Sequence, residues 1–169
     1  MTSFLRFDRW QNTAGTQYTN VIQTLSTTFN NVTSVSTDKT YTALSGGSIT
    51  ITSSYANTKF LLMGQVNGYH PANGGANIGF NRVLGGTTTR LLGVDGSQGE
   101  SWMGEGNGVT TNSFTIVRHW LDSPGAAAGA SIVYNLLGGN WNAAGGVVYY
   151  NYTGSYNLTC TFTVMEIQP

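Results

Sequence analysis

The sequence predicts an all-β protein: an antiparallel jelly-roll sandwich of about ten strands behind a short extended N-terminal arm. Three observations carry this reading. Short β-type segments recur at the ~8–12-residue spacing of sandwiches and barrels, each bounded by Gly, Asn, Ser or Pro. No stretch of any length repeats apolar residues at the helical period, and 23 glycines together with abundant Thr, Asn and Ser disfavour helix. The closing segment, Tyr156 to Ile167, alternates cleanly, with Tyr156, Leu158, Cys160, Phe162 and Val164 on one face and Asn157, Thr159, Thr161 and Thr163 on the other. A long half-apolar strand is not stable alone, so earlier strands must flank it. A lipocalin-like barrel would need longer, evenly spaced hairpins, and the lack of a fixed-period repeat argues against a propeller or solenoid. The 169 residues fit one domain, residues 21–169, preceded by an arm and linker at 1–20.

In chain order, the arm comes first. It carries Phe4, Leu5, Phe7 and Trp10, large apolar groups for a terminal segment. Termini are normally polar and frayed unless they dock, so the arm packs either on its own domain or, as a tether, on a partner protein. Gln11 to Asn20 is polar, contains Gly15 and reads as a linker. Val21 to Phe29 is the first strand, and Phe29 to Lys39 is a polar crossing. Tyr41 to Leu44 and Ser48 to Thr52 read as two short strands on either side of Gly46-Gly47. Ser53 to Lys59 is a turn, Phe60 to Val66 the most apolar strand, and Asn67 to Gly75 a loop. Asn77 to Leu84 and Thr87 to Val94 flank the hairpin signal Gly85-Gly86. Gly96 to Asn112 is a long loop holding Trp102 and Met103. Ser113 to Asp122 ends in the turn Asp122, Ser123, Pro124, Gly125. Ala130 to Leu137 is a strand, Gly138 to Gly146 a loop carrying Trp141, and Val147 to Tyr152 a short strand before the closing one.

Three segments are apolar on both faces: Phe60 to Met63, Ile132 to Leu137 and Val147 to Tyr150. A sandwich strand needs one buried face. The second face calls for cover, from another copy of the chain or from a loop folded back over the sheet.

Charge narrows the function. The formal net charge is zero and only 8% of residues are charged, against about 25% in a typical domain. Nothing here neutralises phosphates, so nucleic-acid binding is not expected. Near-zero net charge favours association, which makes an oligomer or a subunit of a larger assembly the natural expectation. No run approaches the ~20 apolar residues of a membrane helix. Met1 to Trp10 includes Arg6, Asp8 and Arg9 and has no apolar signal-peptide core, so synthesis in the cytosol without membrane insertion is expected. The single cysteine, Cys160, reads as a small core hydrophobe.

Catalysis needs titratable groups close together, and few are on offer. His70 and His119 share no metal-ligand spacing, and neither a metal nor any other cofactor is expected. Glu100 and Glu105 flank Trp102; such a pair serves glycoside hydrolysis, but two solvated loop charges are the simpler reading, so no enzyme is expected. Gly104, Gly106 and Gly108 lack the lysine and helix of a phosphate loop. Chance accounts for the glycosylation-type triplets at Asn31, Asn151 and Asn157 in a chain this rich in Asn and Thr. Trp102 and Trp141, in long loops, offer flat amphipathic surface to a glycan or to a neighbouring subunit.

Thr115 to Gly125 (TIVRHWLDSPG) and the ending Thr161 to Pro169 (TFTVMEIQP) resemble a group of bacteriophage virion structural proteins, often tail-fibre or minor structural proteins. Ser48 to Leu62 (SITITSSYANTKFLL) and Gly79 to Gly86 agree with strands of the same group. That group in turn resembles the jelly roll of complement globular heads and tumour-necrosis-factor-like proteins. The resemblance implies a homotrimer with apolar strands at its axis, and the doubly apolar segments then supply the contact: Phe60, Leu62, Val133, Leu137, Val148 and Tyr150. It implies a virion location, made in the host cytoplasm, with the major capsid protein or another virion protein as partner. Fibre proteins carry a long shaft before the head, whereas about twenty residues precede the first strand here. This points to a capsid decoration or cement knob anchored by Phe4, Leu5, Phe7 and Trp10. The alternatives are a tail-fibre head binding a host-surface glycan through Trp102 and Trp141 and, behind it, a glycan-cleaving enzyme.

Overall fold

Alternating faces and turn chemistry produce strands throughout. The computed structural model describes residues 21–37, 39–71, 75–92, 103–104, 111–141, 146–151 and 159–168, and none of these is helical. They form β1 (Val21–Phe29), β2 (Thr33–Val35), β3 (Thr40–Thr52), β4 (Lys59–Pro71), β5 (Gly75–Leu84), β6 (Thr87–Leu92), β7 (Met103–Gly104), β8 (Thr111–Asp122), β9 (Ser131–Trp141), β10 (Val148–Tyr150) and β11 (Cys160–Ile167).

Two antiparallel sheets stack face to face. The first runs β1-β11-β4-β8, with β10 and β2 continuing beside the far end of β4. The second runs β3-β9-β5-β6, with β7 also paired to β5. The pairings nest from the two ends of the chain inward: β1 with β11, β3 with β9, β4 with β8, β5 with β6. A long antiparallel hairpin rolled in this way is the jelly roll expected from the sequence. The inward faces meet in one core, which includes Phe60, Leu62, Ile78, Phe80, Tyr134, Leu136 and Phe162. Phe80 and Phe162 stack across it with ring centroids 5.8 Å apart.

The closing strand behaves as its alternation predicts: Cys160, Phe162 and Val164 are fully buried. Tyr156 and Leu158 lie outside the described residues. The Gly85-Gly86 hairpin is present, both residues having the positive φ (57° and 79°) that a primed turn needs.

Several expected loops are strand instead. Tyr41 to Leu44 and Ser48 to Thr52 join into the continuous β3, the two glycines lying in an irregularity between Ala43 and Ser48. β4 runs on to Pro71, because β8 and β10 supply ladder partners for its polar far end. β9 runs on through Gly138 and Gly139, residues that read as a loop signal. Their role is steric. A Cβ on Gly138 would lie 2.5 Å from the Tyr150 ring, and one on Gly139 would lie 2.7 Å from the Tyr41 ring.

Of the six positions expected at the trimer axis, five are buried within the single subunit and one is half-buried. Phe60, Leu62, Val148, Tyr150 and Leu137 are each at most 2% exposed in the single subunit, so no second copy reaches them. Val133 is half-buried on the outer face of the second sheet. In Phe60-Leu61-Leu62-Met63 both parities are apolar, and the residues the core takes are the even-numbered ones.

Candidate functional site: the outer face of the first sheet

Because β11 buries Cys160, Phe162, Val164 and Glu166, its Thr161, Thr163, Met165 and Ile167 point outward. Register then assembles the whole outer face. One row is Thr24, Met165, Leu61 and Leu121; the next is Ser26, Thr163, Met63 and His119; the third is Thr28, Thr161, Gln65 and Val117. Val21, Ile167 and Lys59 continue it at one end. The three rows contain no Lys, Arg, Asp or Glu. Val117 is 63% exposed and Leu121 52%, while Leu61, Met63 and Met165 are half-buried by their neighbours. The outward face of an antiparallel sandwich is ordinarily polar. Here aliphatic and thioether groups alternate with threonines, and Ser26 and Thr163 hydroxyls hydrogen-bond each other at 2.9 Å.

Two buried carboxylates hold this sheet in place. Glu166 continues the inward parity of β11 and is fully buried. Its Oε2 accepts from Gln23 Nε2 (2.6 Å) and from the Ser54 hydroxyl (2.8 Å), and its Oε1 accepts from the Ser54 backbone N–H (2.7 Å). Burial pushes the carboxyl up, but the hydrogen bonds from Gln23 and Ser54 outweigh it and hold Glu166 below the usual carboxylate range. The carboxylate thereby ties the edge strand β1 to the turn after β3.

Asp122, expected to serve its turn, spans the two sheets. Arg82 on β5 donates one guanidinium nitrogen to both its oxygens at 2.7 and 2.8 Å, and Tyr134 on β9 donates its hydroxyl to Oδ2 at 2.8 Å. Burial and the neighbouring Asp122 carboxylate push the Tyr134 hydroxyl far above the ordinary tyrosine range. A buried ion pair of this kind positions the sheets; removing one partner typically costs about 3–5 kcal/mol because the other charge is left buried.

The edge of the face opens into a cleft. Among the described residues β8 pairs with β4 alone and β6 with β5 alone, and no described strand joins β6 to β8. A cleft of about 360 Å³ lies there, lined by Asn77, Ile78, Leu92, Val117, Arg118, His119 and Trp120.

The residues singled out from the sequence are scattered. Phe4, Leu5, Phe7, Trp10, Glu100, Trp102 and Glu105 lie outside the described residues, as does the side chain of Trp141, whose backbone ends β9. His70 is buried and stacks on Phe114, while His119 is exposed on the opposite face of the sheet. Cys160 is a free, buried core thiol, pushed up by burial. Sequence reasoning marked Phe60 to Met63 as apolar on both faces but named Phe60 and Leu62 rather than Leu61 and Met63 for the contact, and it missed Val117, Leu121, Glu166, Arg118 and Trp120. Glu166 alone had a readable signal, since it shares the parity of Cys160, Phe162 and Val164.

No protein-family model matches the chain, and no curated protein matches it. The resemblance to phage virion proteins therefore rests on the quoted segments themselves.

Proposed function

We propose that this chain is a non-enzymatic structural protein of a phage virion, a jelly-roll knob that assembles as a homotrimer and decorates the capsid surface. The observation that carries the assembly is the outer face of the first sheet. A copy of the chain brings the same charges to the contact, so a charged face would repel itself; rows of Met, Leu, Val and Thr without Lys, Arg, Asp or Glu do not. Exposed Val117 and Leu121 gain most from being covered, at about 25 cal/mol per Å² of apolar surface. The three-fold order and the virion location come from the sequence resemblance, and Phe4, Leu5, Phe7 and Trp10 are the proposed anchor. Three arms on one trimer would hold it to a particle through avidity, without a tight single contact.

Light scattering of the purified protein tests the assembly: three times 18.0 kDa is expected, and a mass of 18.0 kDa at micromolar concentration overturns it. Deleting residues 1–17 is expected to leave the trimer intact and abolish its incorporation into particles. Particles that still carry the shortened protein would remove the anchor.

A further inference from the structure

The middle row of the apolar face ends on a histidine. Ser26, Thr163, Met63 and His119 are cross-strand neighbours on β1, β11, β4 and β8. His119 is exposed, and along β8 it stands between Val117 and Leu121, which are 63% and 52% exposed. Residues two apart in a strand share a face, about 7 Å from each other. A contact that covers Val117 and Leu121 therefore covers the imidazole between them. Of the residues in the three rows, His119 is the one that titrates.

We infer, on the reading that copies of the chain assemble through this face, that His119 is a pH switch: neutral imidazole is compatible with the contact, and imidazolium opens it. Histidine is the side chain that ordinarily changes charge between about pH 5 and pH 8. A neutral ring brings one donor and one acceptor to a surface of threonine hydroxyls and aliphatic groups. A protonated ring brings a charge, and taking an unpaired charge out of water is costly. Symmetry multiplies the cost, because every copy carries the same cation to the contact. The three rows hold no Asp or Glu to neutralise it. Among the described residues, the other titratable and charged groups of the packed elements point elsewhere or share its sign. On β8, Arg118 has the opposite parity, and Asp122 is bound to Arg82 of β5 and Tyr134 of β9. On β11, Glu166 faces inward to Gln23 and Ser54. On β4, His70 is buried against Phe114, and Lys59, at the end of the face, is itself a cation. On β6, Arg90 lies over Tyr41 on the second sheet. Assembly is thus stabilised above the imidazole range and weakened as pH falls through it.

Sedimentation and light scattering of the full-length protein over a dilution series read assembly at about pH 7.5 and about pH 5. Wild type is expected to need at least tenfold more protein to assemble at the lower pH. Glu166, held below the usual carboxylate range, stays ionised there, so β1 remains pinned. Near-UV circular dichroism checks that the subunit is folded at both pH values. His119→Gln is expected to assemble equally at both, and His119→Lys weakly at both. Should His119→Gln not assemble, His119→Thr, matching the threonines of the face, replaces it with the same expectation. Single wild-type subunits at both pH values overturn assembly through this face, and the switch with it. Equal wild-type assembly at both overturns the switch alone and leaves the assembly standing. A pH response that survives in His119→Gln also overturns the switch.

Discussion

On the outer face of the first sheet, Met165, Leu61 and Leu121 lie side by side; on the outer face of the second, Asn135 donates a 2.8 Å hydrogen bond to Asn81 and the Arg90 guanidinium lies 5.5 Å over the Tyr41 ring. Both faces come from antiparallel strands of similar length, and both back onto the same core. The second sheet is closer to the usual division, with more polar groups outside: two of its outer rows are Thr50, Val133, Val83, Thr88 and Ser48, Asn135, Asn81, Arg90. The first sheet breaks it. Strand pattern alone does not distinguish a face that meets water from one that meets another chain, whereas the contrast between two faces of one small domain does. The face whose three rows carry no Lys, Arg, Asp or Glu is the one suited to contact.

Placing a charge on each face in turn gives the largest expected difference. Met63→Lys puts an ammonium in the middle of the first sheet's outer face and is expected to convert the assembly to single subunits. Thr50→Lys on the other face is expected to leave the mass unchanged, and light scattering reads both. A loss of assembly in Thr50→Lys alone would reverse the assignment of the faces.

A smaller pair separates inside from outside on one strand. Leu62→Ala empties a fully buried site and is expected to cost about 2–5 kcal/mol in urea unfolding. Leu61→Ala, its outward neighbour, is expected to cost roughly 1 kcal/mol or less in subunit stability while weakening assembly.

Acid titration tests whether the edge of the apolar face is pinned. Glu166 has a folded-state pKa below its unfolded value, so its contribution is present above the unfolded carboxylate range and is lost as pH falls through the lower folded value. Glu166→Gln is expected to be less stable at neutral pH and to show a flatter loss of stability on acidification, measured by urea midpoints from neutral pH to about pH 2. Hydrogen exchange in β1 is expected to rise in the same variant, since Gln23 loses its carboxylate partner.

The smallest effect belongs to the polar face. Asn135→Ala removes the hydrogen bond to Asn81 and is expected to cost about 0.5–1.5 kcal/mol with no change in mass.

Much of the fold was legible because strand alternation and turn residues are local. Val21–Phe29 and the hairpin at Gly85-Gly86 stand where the pattern puts them. The errors share one cause. Gly138, Gly139 and the Asn-Gly-Tyr-His run after Val66 have the composition of loops, yet their neighbours need them in strands: tyrosine rings fill the space over two glycines, and β8 and β10 pair the polar run. The candidate site was less legible. Phe60-Leu61-Leu62-Met63 marks a strand with two apolar faces but carries no sign of which face the core claims. Arg118 and Trp120 sit within a segment whose order drew notice for resemblance rather than for chemistry.

From the sequence alone came the all-β class, the nearly uncharged surface and the inward face of the closing strand, because composition and a period of two act between near neighbours. The tertiary structure decided which parity of β4 is core, that Asp122 joins two sheets rather than serving a turn, and that a cleft opens beside Trp120. These depend on which distant strands become neighbours, and a nested pairing of β1 with β11 and β4 with β8 is a property of the whole chain.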